Sequence, residues 1–257
     1  MLQAGCMKSH PRASCEAVFK IPDTLAFHDI VGMMTPVMTA YHALINMARL
    51  QKGGKVLIHS AAGCTGQMAV QIAQIIGAEI FVTVGSNEKK TLLTDPSRYG
   101  IPESHVFYSR DTSFREGIMR MTNGRGVNIV LNSLSGDALR SSWECTAPYG
   151  RFIEIGKTDI RANSSLPMAS FAKNVSFSAV DSHHICRTNP ALWQQLGQIF
   201  LDILLATQIR APEPMSVYWP SEVEEVFRYL QSGKNMGRIA LSIGKEDIVS
   251  KYVVRKS

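Results

Sequence analysis

KVLIHSAAGCTGQMAVQIAQIIGAEIFVTV, residues 55–84, decides the fold. KVLIHS (55–60) is apolar and β-branched, as a strand buried on both faces of a parallel sheet must be. After the loop Ala61-Ala62-Gly63-Cys64-Thr65-Gly66, the residues Met68, Ile72, Ile75 and Ile76 recur at helical spacing until Gly77 closes the helix. EIFVTV (79–84) follows as a second buried strand. The loop reads A-x-G-x-x-G, the dinucleotide fingerprint with alanine in its first glycine position. Gly63 would let the backbone approach a pyrophosphate, and Gly66 would let helix and strand pack closely. The helix N-terminus adds free N–H groups and the positive end of a dipole. Ala61, Gly63, Cys64, Thr65 and Gly66 are therefore candidate nucleotide-binding residues. Tight glycine turns also serve packing alone, but here strand, turn and helix stand in register.

Outward from this unit the pattern repeats. HVFY (105–108) reads as a third strand, VNIVLN (127–132) as a fourth, RFIEIG (151–156) as a fifth and NVSFSAV (174–180) as a sixth. Ser113 with Glu116 forms a capping-box pattern, NGRG (123–126) turns the chain, and a helix lies near 136–146. Alternating strands and helices predict an α/β fold, a doubly wound parallel sheet of Rossmann type. Past Asp181 the pattern changes. Asn189-Pro190 caps a helix bearing Leu192, Leu196, Phe200 and Ile203. Ser221 with Glu224 is a second capping-box pattern, before Val223, Val226, Phe227 and Leu230, and Gly233 stops that helix. GRIALSI (237–243) reads as a closing strand.

The end of the second strand speaks to the nucleotide. NAD-binding domains place an acid roughly twenty residues past the glycine loop to hold the ribose hydroxyls. Here Gly85-Ser86-Asn87 occupies that place, followed by Glu88, Lys89 and Lys90. A hydroxyl and two cations suit a ribose 2′-phosphate, which favours NADPH over NADH. A solvated charged turn, with Glu88 placed by the helix dipole, is the plainer alternative.

Composition narrows the rest. Of 257 residues 45% are hydrophobic and 19% charged, ordinary globular values that suit one large domain or one domain and a fragment. The net charge of +6 is spread along the chain rather than gathered into a patch, which argues against nucleic acid. No apolar run is long enough to cross a bilayer, and the N-terminus lacks a signal-peptide core, so no membrane and a cytoplasmic location are expected. Cysteines stand at 6, 15, 64, 145 and 186 without metal spacing, so no metal is expected. His183 and His184 are adjacent, and on a strand they would point to opposite faces.

Three stretches carry a resemblance. ARLQKGGKVLIHSAAGCTGQMAVQIAQIIGAEIFVTVGS (48–86), GIMRMTNGRGVNIVLNSLSGDALRSSWECTAPYGRFIEIGKTDI (117–160) and GKNMGRIAL (233–241) resemble enoyl reductases of the medium-chain dehydrogenase/reductase superfamily. They are most similar to the enoyl reductase domain of fungal highly reducing polyketide synthases, over about Val18 to Ile243, with LNSLSG and GRFIEIGK the most specific motifs. The resemblance implies NADPH-dependent reduction of an α,β-unsaturated acyl thioester in polyketide, secondary-metabolite biosynthesis, by a zinc-independent branch. It implies Lys157 and Asp181 as catalytic residues, Thr39 near the nicotinamide, Ser86 and Lys89 at the 2′-phosphate, Asn132 by the ribose and Tyr108 near the adenine. Tyr41 reads as packing. An acyl thioester on a carrier protein and a polyketide synthase are the partners implied, and a homodimer is one the resemblance allows.

The pattern departs from the family in two ways. Family members begin with a substrate-binding barrel of the GroES-like kind, whereas only residues 1–17, unlike that barrel, precede VFKIPD here. Cys64 and Thr65 replace the usual Gly-Val of the loop. The expected division is an unassigned segment 1–17, lead-in helices and a remnant of the substrate domain at 18–50, an NADPH-binding Rossmann domain at 51–185, and helices and a strand returning to the substrate domain at 186–257. Two other readings stay open: an impaired NADPH-binding remnant that docks on a synthase, and a quinone-type oxidoreductase.

Overall fold

A computed structural model describes residues 10–21, 27–206 and 209–243. Cys6, the first residues of the N-terminal segment and the end of VFKIPD lie outside them. β1 (Lys55–Ile58), β2 (Glu79–Val84), β3 (Val106–Tyr108), β4 (Val127–Asn132), β5 (Thr146–Glu154) and β6 (Ser176–Ala179) form one parallel sheet in the order β3-β2-β1-β4-β5-β6. Strand order reverses beside β1, so the crevice between the carboxyl ends of β1 and β4 is where such a sheet holds ligands. A separate pair, β7 (Met215–Tyr218) and β8 (Arg238–Leu241), runs parallel near the end of the chain. β8 was expected from GRIALSI. β7 was not, because MSVY is too short to declare itself.

Strand periodicity divides the core. Val56 and Ile58 of β1, Ile80 and Val82 of β2, and Ile129 and Leu131 of β4 face α1 (Phe27–Tyr41), α2 (Cys64–Ile76) and α8 (Pro190–Leu205). The intervening Leu57, Phe81 and Val130 face α4 (Phe114–Met121) and α5 (Asp137–Glu144), which bring Phe114, Ile118 and the fully buried Trp143. Both faces of the central strands β1, β2 and β4 are thus buried, which is why those strands are largely apolar. Tyr41 packs against the first of these cores, as expected.

Helix ends repeat the sequence reading with corrections. Gly77 closes α2 at φ +79°, a left-handed cap. Asn189 Oδ1 accepts the Leu192 N–H at 3.1 Å with Pro190 in the first turn, as expected. Ser113 does not cap α4. It already has helical angles, and Asp111 Oδ1 accepts both its N–H (3.0 Å) and its hydroxyl (2.5 Å). The second capping box is displaced: Glu222 reaches back to the Trp219 N–H at 2.6 Å, while Glu224 pairs with Arg228 inside α9 (Val223–Gln231). A tight turn at Pro220–Glu222 moves the helix start past Ser221. Ile75 is exposed rather than core-facing. His183 and His184 lie on α7 (Ser182–Thr188), not on a strand, because Asp181 accepts both their N–H groups and starts a helix. α3 (Asn87–Thr94) and α6 (Thr158–Arg161) complete the helices used below.

Candidate active site at the carboxyl ends of the strands

The glycine loop follows β1 through Ser60, a non-glycine residue at φ +51°. No side chain caps α2, so its first turn faces the crevice with donors available to an anion. A Cβ on Gly66 would stand 2.5 Å from Ser60 O and 2.6 Å from Ala61 Cα, so glycine alone fits there. A Cβ on Gly63 would meet only Ser60 O, at 3.1 Å. Ala61 and Ala62 are buried, and Ala61 N–H is held by Thr83 O at 3.2 Å. Cys64 turns its thiol to Gly32 O of α1, 3.1 Å away, and burial pushes it up to about 11 despite the nearby Arg238 guanidinium. It is a packed thiol and not a nucleophile.

A cleft of about 560 Å³ opens over this loop, lined by Gly63, Thr65 and Gly66 on one side and by Phe227, Leu230, Asn235 and Arg238 on the other. Ser133 and Ile155, just past β4 and β5, line it too, and Ser133 Oγ donates to Ser60 Oγ at 2.9 Å across the strand ends. A second cavity of about 270 Å³ shares Ser60, Gly63 and Asn235 and reaches Gly85 and Lys89. Together they form a groove from the end of β2 across the glycine loop to the end of β5. Its dimensions, its uncapped helix and its cations fit a dinucleotide.

The cations lie at the β2 end. Ser86 caps α3, its Oγ accepting the Lys89 N–H at 3.4 Å. Lys89 Nζ donates to Gly233 O at 3.1 Å, and burial, then the Arg110 guanidinium, hold its ammonium below the usual lysine range. Arg110, which the sequence reading passed over, donates from Nε to Gly85 O at 2.7 Å. Tyr108 is partly exposed, and its hydroxyl donates to Asn87 Oδ1. Asn132 is fully buried, its amide directed to Glu154 and Leu134 O.

Two residues past Ile155, Lys157 Nζ stands 2.7 Å from Asp181 Oδ1, both groups about two-fifths exposed. Burial raises the Asp181 carboxyl, but the Lys157 ammonium and the His184 and His183 N–H groups outweigh it and hold it below the usual carboxylate range. Thr39 Oγ1 lies 2.5 Å from Ser182 Oγ, next along the chain from Asp181, and donates to Thr35 O at 2.7 Å. Thr39, Asp181 and Lys157, far apart in sequence, thus meet where α1, α7 and the end of β5 converge. His59, in the cleft wall, is no acid or base. Burial depresses it to about 3, and it bridges Thr83 Oγ1 and Ser142 Oγ at 2.8 Å each.

The C-terminal wall was not foreseen. Gln67 of α2 binds Ala62 O (2.8 Å), Glu213 O (2.6 Å), Glu213 N–H (2.7 Å) and the Tyr99 hydroxyl (2.5 Å). Gln71 grips both backbone groups of Arg210 in the same way. Gly237 N–H then donates to Ala62 O at 3.0 Å, seating β8 over the loop. The buried glutamines of QMAVQ were the available signal, since a buried amide must find backbone partners.

With this geometry in view, the comparisons with known proteins are specific. A zinc-binding dehydrogenase family model matches residues 64–199. The highly reducing polyketide synthase tstA of Talaromyces stipitatus is 45% identical over 92% of this chain, which spans 9% of that protein. The crystal structure of CurK enoyl reductase matches with TM-score 0.79 and 34% identity, over 90% of this chain and 67% of that one. The nucleotide-binding subdomain of the enoylreductase domain of PpsC from Mycobacterium tuberculosis, 40% identical with TM-score 0.63, is covered over 98% of its length and 72% of this chain.

The chain belongs to the polyketide synthase enoyl reductase family. It is a member of the medium-chain dehydrogenase/reductase superfamily, as the three quoted stretches implied, and its sheet has the Rossmann-like order of that superfamily. This enoyl reductase chain spans about a tenth of the length of the curated relatives it matches. Although the family model is named for zinc, no group of three or more His, Cys, Asp or Glu that could hold a metal occurs among the described residues. Nor is any helix among them long and apolar enough to cross a membrane.

Proposed function

We propose that this chain is the NADPH-binding part of an enoyl reductase acting on α,β-unsaturated acyl thioesters in polyketide biosynthesis. The observation that carries the reading is a groove over the glycine loop with cations at its β2 end and an ammonium–carboxylate pair past its β5 end. Ser86, Lys89 and Arg110 gather at the end of β2, and the Lys157–Asp181 pair stands just beyond Ile155 at the end of β5. Ser86 and Lys89 would take the 2′-phosphate, the loop Ala61–Gly66 the pyrophosphate, Thr39 the nicotinamide and Tyr108 the adenine side, while Asn132, its buried side chain already committed to Glu154 and Leu134 O, would border the ribose without binding it. When bound, the reduced nicotinamide supplies a hydride. Lys157 places a positive charge where the thioester oxygen becomes negative, and it holds at Nζ a proton for the α-carbon. Asp181 pairs with that ammonium and orients it.

The same proposal includes a carrier-protein-bound substrate, a polyketide synthase partner, a cytoplasmic location, and a nucleotide domain over 51–185 flanked by segments of a substrate domain. The test is direct. Crotonyl pantetheine thioester is offered with NADPH to this chain, alone and joined before Val18 to the substrate domain of a close relative, and loss of nicotinamide absorbance is followed. Reduction in either form supports the reading. A folded fusion that binds NADPH and reduces nothing overturns it in favour of a nucleotide-binding remnant.

A further inference from the structure

One carboxylate ties the ends of β4 and β5 together. Glu154, the last residue of β5, is 2% exposed. Its Oε2 accepts from Asn132 Nδ2 at 2.5 Å, and its Oε1 accepts from the Gly156 N–H at 2.5 Å. Asn132 is fixed further by donating to Leu134 O at 2.9 Å. A Cβ on Gly156 would stand 2.6 Å from Glu154 Oε1, so glycine is what lets the carboxylate fold back on its own strand end. Gly156 immediately precedes Lys157, and Asn132 immediately precedes Ser133 of the cleft wall.

We propose that Glu154 is a positioning residue of the reductase site: its two oxygens grip Asn132 and the Gly156 N–H, and through Gly156 they set the pose of Lys157. The role assigned to Lys157 rests on the function proposed above, whereas the tie itself does not. The surroundings make the grip sensitive to protons. Facing Glu154 around a cavity of about 170 Å³ are Arg140 from α5, Asp159 from α6 and Phe177 from β6. Asp159 Oδ2 also accepts the Gly136 N–H at 2.9 Å. Burial lifts the Glu154 carboxyl to about 7 against the pull of Asn132 and Gly156, and the charge of Asp159 adds to the rise. Ionised, Glu154 has one acceptor for each donor. Protonated on Oε1, the oxygen that faces the Gly156 N–H, it presents a hydroxyl there and that tie weakens. Lys157 is therefore held firmly above neutrality and loosely below it.

The full chain, labelled with 15N and with 13C in glutamate and lysine side chains, is titrated by NMR from about pH 5.5 to 8.5. The Gly156 amide, the Asn132 side-chain amide, the Lys157 Cε and the Glu154 carboxyl are expected to shift with one shared midpoint near 7. In Glu154→Gln the first three transitions disappear. Should that variant not fold, the match of the four midpoints in the parent carries the test. Absence of a shared midpoint, or a Lys157 signal that does not follow Gly156, overturns the proposal. In an active protein, kcat rises about tenfold from pH 6 to pH 8 on the same limb, and Glu154→Gln flattens it. A parent that binds no NADPH or reduces no thioester counts against the proposed function instead, and leaves the NMR midpoints to decide this one.

Discussion

Lys157 Nζ and Asp181 Oδ1 lie 2.7 Å apart, and the same Asp181 oxygen accepts the N–H groups of His183 at 3.0 Å and His184 at 3.3 Å. The carboxylate is thus fixed by a helix start, so the ammonium end of the lysine is anchored to α7. Because a cation near the forming negative charge acts mainly in the transition state, Lys157→Ala should lower kcat by roughly 100- to 1000-fold. NADPH affinity should stay within about twofold. Asp181→Asn keeps a capping oxygen and should fold normally while also losing rate. Stopped-flow kinetics with separate NADPH titrations check both, and a Lys157→Ala protein of full kcat would remove the residue from the chemistry.

Lys89 and Arg110 together face the end of β2, where NAD-binding domains keep an acid. A charge-assisted contact is worth about 1.5–3 kcal/mol, so Lys89→Ala should weaken NADPH roughly 10- to 100-fold. NADH binding should barely change. Fluorescence titration of both nucleotides measures this, and equal affinities in the parent would end the NADPH assignment.

Gly63 and Gly66 should fail differently. Gly66→Ala forces a Cβ to within 2.5–2.6 Å of Ser60 and Ala61 and should lower thermal stability outright. Gly63→Val projects its side chain where the backbone must approach a pyrophosphate, so nucleotide binding should vanish while circular dichroism stays near normal. Binding retained in Gly63→Val would mean that the ligand does not lie on this loop.

Glu154 should leave a signature in stability. Its carboxyl rises from the ordinary 4.5 to about 7 on folding, so between those values the folded chain keeps a proton that the unfolded chain has lost. Stability therefore falls as pH rises through that window and levels off above it. Glu154→Gln does not titrate, so relative to the parent it should gain on the order of 3 kcal/mol from about pH 4.5 to 7.5. Urea denaturation at several pH values reads the difference, and parallel pH profiles of the two proteins would refute it.

Gln67 is buried with both amide atoms engaged by Ala62, Tyr99 and Glu213. Gln67→Ala strands those groups and should cost about 2–4 kcal/mol. Hydrogen exchange should quicken at Glu213 first, where the lead to β7 leaves α2. Unchanged protection there would mean that the arm is held by other contacts.

The sheet, its strands and the glycine loop were legible in sequence because each follows from local rules. Apolar runs of strand length, one helical period and a glycine at a fixed offset suffice to specify a βαβ unit. Lys157, Asp181 and Thr39 could be named by resemblance, but nothing local said that they meet. The sheet brings the end of β5 to α7, and α1 lies across that junction, so their proximity is a product of packing. The same holds for the groove's second wall, since β7, β8 and α9 reach the loop through Gln67, Gln71 and Gly237 from more than a hundred residues away. Glu154 is the sharpest case. In sequence it is one acid in an apolar strand, unremarked among the candidates. Only burial against Asn132 and Gly156 in the folded chain makes it a titrating tie, because desolvation and paired donors are properties of an environment and not of a residue.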